Sequence, residues 1–257
     1  MSPSTTAWPT LADIARGDAD SKGLDSKRPP LSNNLIDALP HADRARILKR
    51  CVSVKLVLGA ILCKADRPIR YVYFPLTGFI SLVASVAGHP PLEAGLIGSE
   101  GLLGGTLVLG VSNAGLQGVV QGGGTALRMS SADVRRELRR SPSLSRIFSR
   151  YLYVTLAQLS QSAACTRFHH IEARLARWLL MTHDRSHANH FHLTHKFLAD
   201  MLGVQRSAVT IAAGSMQARK LISYTRGKIR VLNRKGLEAR SCECYQATTR
   251  DYAELFG

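Results

Sequence analysis

The sequence predicts an α+β protein in which an antiparallel β-barrel is followed by one long helix and then by a helical domain that ends in a β-hairpin. Three observations lead to this fold class. Short apolar runs separated by Gly and Pro fill residues 52–129, which is typical of regularly spaced strands. Apolar residues then recur three and four positions apart from Pro142 onwards. Finally, residues 193–232 combine two short helical patterns with two short strand patterns.

These patterns divide the chain into five segments. The expected segments are a flexible tail at 1–30, a β domain at 31–141, a long helix at 142–166, a helical domain with a hairpin at 167–240 and a C-terminal extension at 241–257. With 257 residues, of which 45% are hydrophobic, the chain can hold one large domain or two smaller ones with buried cores.

Composition indicates the class of binding partner and the cellular compartment. The formal net charge of +16 favours a polyanionic partner, and the excess of basic residues is concentrated in residues 166–240. No run of about 18 apolar residues occurs, so no transmembrane helix is expected. Residues 1–23 lack the basic start and apolar core of a secretory signal. Five cysteines without framework spacing fit a reducing compartment, so we expect a cytoplasmic protein.

The β domain begins and ends with helical patterns. Residues 33–51 predict short helices that are interrupted at Pro40. The strands include those predicted at 54–58, 71–74, 79–86 and 119–120. Ser130 and Ser131 then cap a short helix, because serine side chains satisfy free amides at a helix start.

The long helix begins near Pro142, a residue that suits a first helical turn. Its apolar stripe is narrow, which favours a helix that pairs with a second copy of itself. The alternative is a helix packed on its own β domain. The predicted dimer-interface residues are Leu144, Phe148, Tyr151, Thr155 and Leu159.

Residues 193–220 have the pattern of a helix-turn-helix. Thr194 can cap the first helix, and Gly203 provides the positive φ that the turn needs. Gln205 and Arg206 open the second helix and face outward together with Thr210. Arg can bind guanine through two hydrogen bonds and Gln can bind adenine in the same way, so duplex DNA is the predicted partner. The alternative is an ordinary helical hairpin with a solvated polar face.

A basic hairpin follows directly. Residues 221–224 and 229–232 form two strand patterns around a turn that contains Gly227. Such a hairpin after a helix-turn-helix is the wing of a winged helix. Arg226, Lys228 and Arg230 are predicted to contact phosphates, which position a protein on DNA without reading its sequence.

With these motifs in order, the chain resembles the Crp/Fnr superfamily of bacterial transcription regulators over residues 33–240. The most specific motifs are LADMLGVQRSAVT, the wing, and YVYFPLTGFISL. The resemblance implies a cyclic-nucleotide-binding-like jelly roll as a sensor domain, a dimerisation helix and a winged helix. It also implies a homodimer that binds a pseudo-palindromic promoter site and recruits or blocks RNA polymerase.

The resemblance also assigns roles within the second helix. Arg206 matches the family's base-reading arginine, Ser207 stands where many members have glutamate, and Ile211 stands where some have a second arginine. The operator is therefore expected to differ from the best-known family site. The predicted DNA-binding residues are Thr194, Gln205, Arg206, Ser207, Thr210, Arg226, Lys228 and Arg230.

The sensor domain departs from the cyclic-nucleotide pattern. Glu100 and Gly101 approximate the start of the phosphate cassette and are the predicted ligand-binding residues. However, no Arg or Lys occurs between Glu100 and Arg128, and a buried phosphodiester without a cation is costly. Cyclic AMP is therefore not expected to bind in the usual mode. A signalling protein that binds a cyclic nucleotide in a non-standard mode is the alternative function, and glycines that only form turns are the alternative interpretation.

No cofactor or metal is expected. Cys51 and Cys63 are too far apart for an iron–sulfur cluster pattern, although one His or Cys could ligate a haem. Cys242 and Cys244 form a C-x-C pair, which is a poor match for structural zinc spacing. Five histidines near the helix-turn-helix favour a solvated loop over a metal site: His183, His187, His190, His192 and His195. No catalytic motif is present, so the protein is not expected to be an enzyme.

Overall fold

The computed structural model describes residues 32–186, 190–225 and 227–256. The predicted tail at 1–30 lies outside the described residues. Strands dominate the first part of the described chain and helices the second, which confirms a mixed helix and strand fold. None of the described helices is both long enough and apolar enough to cross a membrane.

Two short helices precede the strands: α1 (Asn34–Asp37) and α2 (His41–Arg50). Asn33 holds this segment in place with both ends of its buried amide. Its carbonyl oxygen accepts hydrogen bonds from the amides of Leu35 and Ile36. Its NH₂ group donates to the carbonyl oxygens of Pro75 at 3.0 Å and Gly101 at 2.9 Å. The predicted pair of helices interrupted at Pro40 is confirmed.

Seven strands form two antiparallel sheets. The strands are β1 (Val52–Leu56), β2 (Ile61–Cys63), β3 (Tyr71–Pro75), β4 (Phe79–Ala84), β5 (Leu92–Ile97), β6 (Gln117–Gly122) and β7 (Gly124–Ser130). One sheet has the order β1-β7-β3 and the other β2-β6-β4-β5. A short 3₁₀ helix, Gly105–Leu109, lies between β5 and β6.

The two sheets do not close into a barrel, which corrects the predicted β-barrel. The consecutive strands β6 and β7 belong to different sheets. The chain changes sheets at residues 122–124, where a Cβ on Gly124 would lie 2.4 Å from the Thr77 carbonyl oxygen. Each sheet has its own edge strands, β1 and β3 in one and β2 and β5 in the other. Apolar side chains such as Ile80 and Val120 fill the space between the two sheets. The domain is therefore a sandwich that agrees with a jelly roll only broadly.

Two helices follow the sandwich: α3 (Ser131–Arg140) and α4 (Pro142–Phe168). Ser130 caps α3 by accepting a hydrogen bond from the Asp133 amide, and Ser141 caps α4 in the same way. Pro142 occupies the first turn of α4, as predicted. The serine and proline signals therefore located both helix starts.

The apolar stripe of α4 packs on its own chain, which corrects the predicted pairing face. Leu144, Phe148 and Tyr151 are buried in one core with residues of the sandwich and of α1. Thr155 and Leu159 are half-buried. The opposite face of α4 stays open: Tyr153 is 73% exposed and Leu156 63% exposed.

The C-terminal domain contains helices and a small sheet. Its elements are α5 (Ile171–Ser186), β8 (His190–His192), α6 (His195–Leu202), α7 (Arg206–Ala218), β9 (Ile222–Thr225), β10 (Lys228–Val231), α8 (Arg234–Glu238) and α9 (Cys244–Phe256). The sheet has the order β8-β10-β9, so the predicted hairpin gains a third strand that the sequence pattern did not indicate.

The predicted C-terminal extension is the helix α9, which packs back onto the first part of the chain. Leu255 is buried in the core beneath the sandwich. The Arg150 guanidinium donates a hydrogen bond to the Glu254 carbonyl oxygen at 2.7 Å. Helix α9 thus joins the end of the chain to the long helix α4.

Candidate DNA-binding surface

The turn between α6 and α7 has the predicted geometry. The Thr194 hydroxyl caps α6 by accepting a hydrogen bond from the Phe197 amide at 3.1 Å. Gly203 ends the helix with φ of +64°, and its amide bonds to carbonyl oxygens of the last turn. This left-handed conformation favours glycine because it has no Cβ. The two sequence signals that set the angle between the helices are confirmed.

The inner faces of both helices are buried in one core with α5 and the small sheet. In α6 and α7 the buried residues are Leu198, Ala199, Met201, Leu202, Val209, Ala212, Ala213 and Met216. Small residues at the crossing allow close approach of the helices. Burial of this face fixes which side chains of α7 point away from the protein.

The outer face of α7 carries the predicted base-reading residues. Gln205, Arg206, Ser207 and Thr210 are all exposed. Ile211 lies beside them and is 74% exposed. An exposed isoleucine is able to make an apolar contact with the methyl group of a thymine.

His195 makes two contacts behind the exposed face of α7 that the sequence did not predict. The Thr210 hydroxyl and the His195 Nδ1 atom form a hydrogen bond of 2.9 Å. The His195 ring stacks on Tyr224 with ring centres 4.3 Å apart. Burial, and then the charge of Arg206, lower the pKa of His195, which keeps the ring neutral near pH 7. His195 therefore connects α6, α7 and the small sheet.

The wing presents cationic side chains at the edge of the same surface. Lys228 pairs with Thr225 across the hairpin, and Gly227 makes the turn with φ of +81°. Lys228 and Arg230 are exposed, whereas Ile229 between them is buried. Both predicted phosphate-binding side chains therefore point away from the protein. Arg226 lies outside the described residues.

The predicted DNA-binding cations of this surface have no carboxylate partners in the described part of the chain. Arg206, Lys228 and Arg230 form no ion pair there. Other basic residues of the domain do, since Arg219 lies 2.9 Å from Glu172 and Arg234 lies 2.7 Å from Asp184. Unpaired surface cations remain available to a polyanion such as DNA.

Comparison with known proteins agrees with this geometry. Residues 173–240 match the family of Crp-like helix-turn-helix domains. The match covers α5, both helices of the motif and the small sheet. No curated protein matched the sequence.

Solved structures extend the agreement beyond this domain to about three quarters of the chain or more. A transcriptional regulator of the crp/fnr family from Eubacterium rectale superposes with a TM-score of 0.63 at 14% identity, over 80% of this chain and 96% of that one. FixK2 from Bradyrhizobium japonicum gives 0.63 at 14% identity, over 75% and 98%. A CRP/FNR-family regulator from Thermus thermophilus gives 0.57 at 19% identity, over 74% and 98%. The chain has the fold of the Crp/Fnr transcription regulators, with a Crp-like helix-turn-helix at its C-terminal end.

The predicted ligand residues of the β domain, Glu100 and Gly101, already have partners within the chain. The Glu100 carboxylate accepts hydrogen bonds from the Arg185 guanidinium at 2.7 Å and from the Gly98 amide at 3.0 Å. Burial acts to lower the pKa of Arg185, but the combined effect of Glu100, Tyr252 and Asp184 outweighs it and the pKa is raised. Gly101 lies against Tyr151, since a Cβ there would be 2.5 Å from the tyrosine oxygen. The structure thus places both residues in packing contacts.

A second buried contact connects the sandwich with the DNA-binding domain. Glu93 on β5 accepts hydrogen bonds from the Trp178 indole at 2.7 Å and the Ser81 hydroxyl at 2.6 Å. Burial raises the pKa of Glu93 to about 7, against the effect of these hydrogen bonds. No local pattern in the sequence indicates the contact of Glu93 with Trp178, because the two residues are 85 positions apart.

The predicted cluster of histidines does not converge in the described residues. His183 contacts Arg234, whereas His195 contacts Thr210 on the other side of the domain. His187 lies outside the described residues, and His190 and His192 belong to strand β8. His183 and His195 thus form separate hydrogen bonds within the domain.

Proposed function

We propose that this protein is a sequence-specific DNA-binding transcription regulator that acts as a homodimer. The observation that carries the proposal is the unpaired Arg206 at the start of α7, beside the exposed cations of the wing. A helix that begins with exposed Gln and Arg can place both groups against base edges in the major groove.

Each side chain has a distinct role in the proposed complex. Arg206 donates two hydrogen bonds to guanine, and Gln205 pairs with adenine. Ser207, Thr210 and Thr194 bind nearby base or phosphate oxygens through their hydroxyl groups. Lys228, Arg230 and Arg226 bind phosphates through the wing.

The exposed face of α4 is the proposed surface for the second copy. This face carries residues three and four positions apart that the sandwich leaves uncovered: Ser149, Tyr153, Leu156, Ser160, Ala163 and Arg167. Exposed Tyr and Leu on a long helix favour self-association, because pairing removes their apolar surface from water. A two-fold dimer also presents two recognition helices to a pseudo-palindromic site.

Leu156→Asp tests this surface. The substitution places a charge in the proposed interface, so we expect a monomer in light scattering and DNA affinity at least tenfold weaker than that of the unchanged protein. Leu109→Asp, on the 3₁₀ helix and 65% exposed, is the matched control and is expected to remain dimeric. A dimer of unchanged affinity for Leu156→Asp would contradict the proposed interface.

Promoter-bound regulators of this type act on RNA polymerase, which is the further partner that the proposal includes. Regulation would pass from the sensor domain through its buried contacts with α5, at Glu93–Trp178 and Glu100–Arg185. These contacts connect the β sandwich directly to the first helix of the DNA-binding domain. They support control of DNA binding through the sandwich.

The proposal is tested by selecting binding sites from a random duplex library with the purified full-length protein. We expect an enriched inverted repeat whose half-sites lie about one helical turn apart. Affinity for the selected site should fall steeply with salt, because phosphate binding releases counterions. Failure to enrich any sequence, with binding to no duplex at low salt, would overturn the proposal.

A further inference from the structure

Three buried cysteines and one histidine converge where the long helix ends and the last helix begins. The residues are Cys165, His169, Cys242 and Cys244. One nitrogen or sulfur atom from each lies within 4.8 Å of all the others. Cys165 and His169 are one turn apart at the end of α4, and Cys242 and Cys244 lie at the start of α9. The fold thus joins two pairs that are 77 positions apart in sequence.

The spacing of these atoms fits a single tetrahedral ion. The Cys165 and Cys242 sulfurs are 3.6 Å apart, and the Cys244 sulfur is 3.5 Å from His169 Nδ1. Zinc bonds of about 2.3 Å to sulfur and about 2.0 Å to nitrogen give tetrahedral edges of roughly 3.5–3.8 Å. These two separations match two edges of such a tetrahedron, and the remaining atoms lie within 4.8 Å of one another.

The surroundings of the four groups match those of a metal centre. His169 presents Nδ1 to the thiols, while its Nε2 lies 3.1 Å from the Glu243 carboxylate. A histidine that binds zinc through one nitrogen commonly donates its other N–H to a carboxylate. The Gln161 amide also donates a hydrogen bond to the Cys244 sulfur at 2.9 Å. Both partners orient the ligands.

Burial and charge also favour a bound cation. Cys165, Cys242 and Cys244 are buried together with Ala173 in a small separate cluster. Three thiolates and one neutral imidazole around Zn²⁺ carry a net charge of −1. The guanidinium groups of Arg174 and Arg177 on α5 are close enough to interact electrostatically with Cys165 and can balance that charge.

Other chemistries fit the four groups less well. A disulfide between Cys165 and Cys242 would use two of the groups and leave His169 and Cys244 without a role. A four-iron cluster binds its four protein ligands through four separate iron atoms, so those ligands lie further apart than the ligands of a single ion. The Cys₃His set is one of the common structural zinc sets.

We propose that these four side chains bind one zinc ion that fastens α9 to the end of α4. All four positions of the ion are filled by protein atoms, which is the arrangement of a structural rather than a catalytic zinc. Helix α5 begins two residues after His169. The ion therefore holds the corner at which the chain passes from the long helix into the DNA-binding domain.

Metal analysis of the full-length protein tests the proposal. After removal of metal under reducing conditions, the protein is titrated with Zn²⁺ or Co²⁺ alone. We expect about one equivalent per chain and a cobalt spectrum of tetrahedral thiolate coordination. Cys165→Ser and Cys244→Ser should lose this binding, whereas Cys63→Ser, at a cysteine outside the cluster, should retain it.

Two more conservative variants test the site if a serine variant does not fold. His169→Cys supplies a fourth thiolate and should keep one equivalent of zinc, with an altered cobalt spectrum. Glu243→Gln should weaken zinc binding about 10- to 100-fold while leaving the circular dichroism of the metal-free protein unchanged. Metal content below a tenth of an equivalent after reconstitution, or equal metal content in all variants, would overturn the proposal.

Discussion

The C-terminal domain has two surfaces, of which one is formed by a continuous stretch of sequence and the other by contacts between distant residues. The outer surface, formed by α6, α7 and the wing, is built from one continuous stretch, residues 194–230. The inner surface meets the sandwich through residue pairs such as Glu93 with Trp178 and Glu100 with Arg185, each 85 positions apart. The outer surface carries the cations Arg206, Lys228 and Arg230, which are unpaired among the described residues, whereas these contacts of the inner surface pair buried polar groups. The difference indicates that the first surface serves a partner and the second serves the protein's own domain arrangement.

The largest loss of stability is expected from a substitution on the inner surface. Glu100→Gln leaves the Arg185 charge buried, since that side chain is only 5% exposed. Removing one partner of a buried ion pair costs about 3–5 kcal/mol, and we expect the free energy of unfolding to fall by about 3 kcal/mol in urea denaturation.

The exposed ion pair of Glu172 and Arg219 is the matched control. Glu172→Gln should cost less than about 1 kcal/mol, because water screens exposed pairs. Equal losses for the two variants would show that the Glu100–Arg185 contact is not buried in solution.

A pH effect is expected at the second inner contact. Because the pKa of Glu93 is raised to about 7 in the folded protein, the folded state holds its proton more tightly than the unfolded state. Its contribution to stability is complete below pH of about 4.5 and is lost as pH rises through about 7. This loss amounts to about 3 kcal/mol.

Urea denaturation at pH 5 and pH 8 measures the Glu93 effect. Glu93→Gln keeps the shape of the side chain and removes its titration, so its stability should change less between the two pH values than that of the unchanged protein. The same pH dependence in both proteins would contradict a buried, protonated Glu93.

A smaller effect is expected on the outer surface. Thr194→Ala removes the hydroxyl that caps α6, and loss of such a cap costs about 1 kcal/mol. Thermal denaturation should show a modest decrease in Tm for Thr194→Ala and almost none for Thr194→Ser. A decrease as large as that of Glu100→Gln would show that Thr194 does more than cap the helix.

The contrast between the surfaces also explains what the sequence could predict. Thr194, Gly203 and Gly227 act on neighbours within a few residues, so their roles follow from local chain geometry. The direction of Arg206 follows from the burial of Val209 on the other face of α7. These predictions are confirmed because each depends on one helix or one turn.

Long-range contacts had no such local signal. The spacing of Leu144, Phe148 and Tyr151 indicated an apolar face, but not whether the same chain or a second copy covers it. Cys242 and Cys244 did not fit zinc spacing because their partners, Cys165 and His169, come from a distant helix. The closed barrel was predicted wrongly because strand patterns do not show at which residues a chain changes sheets.

In the proposed complex, Arg206 reads bases while the wing binds phosphates. The most direct test measures the affinity of Arg206→Ala and Lys228→Ala for the selected site and for random duplex at the same salt concentration. We predict that Arg206→Ala weakens the selected site about 10- to 100-fold more than random duplex. Lys228→Ala should weaken both about equally, and Lys49→Ala, an exposed cation of the sandwich domain, should change neither. Equal weakening of binding to both duplexes by Arg206→Ala would contradict base reading by Arg206.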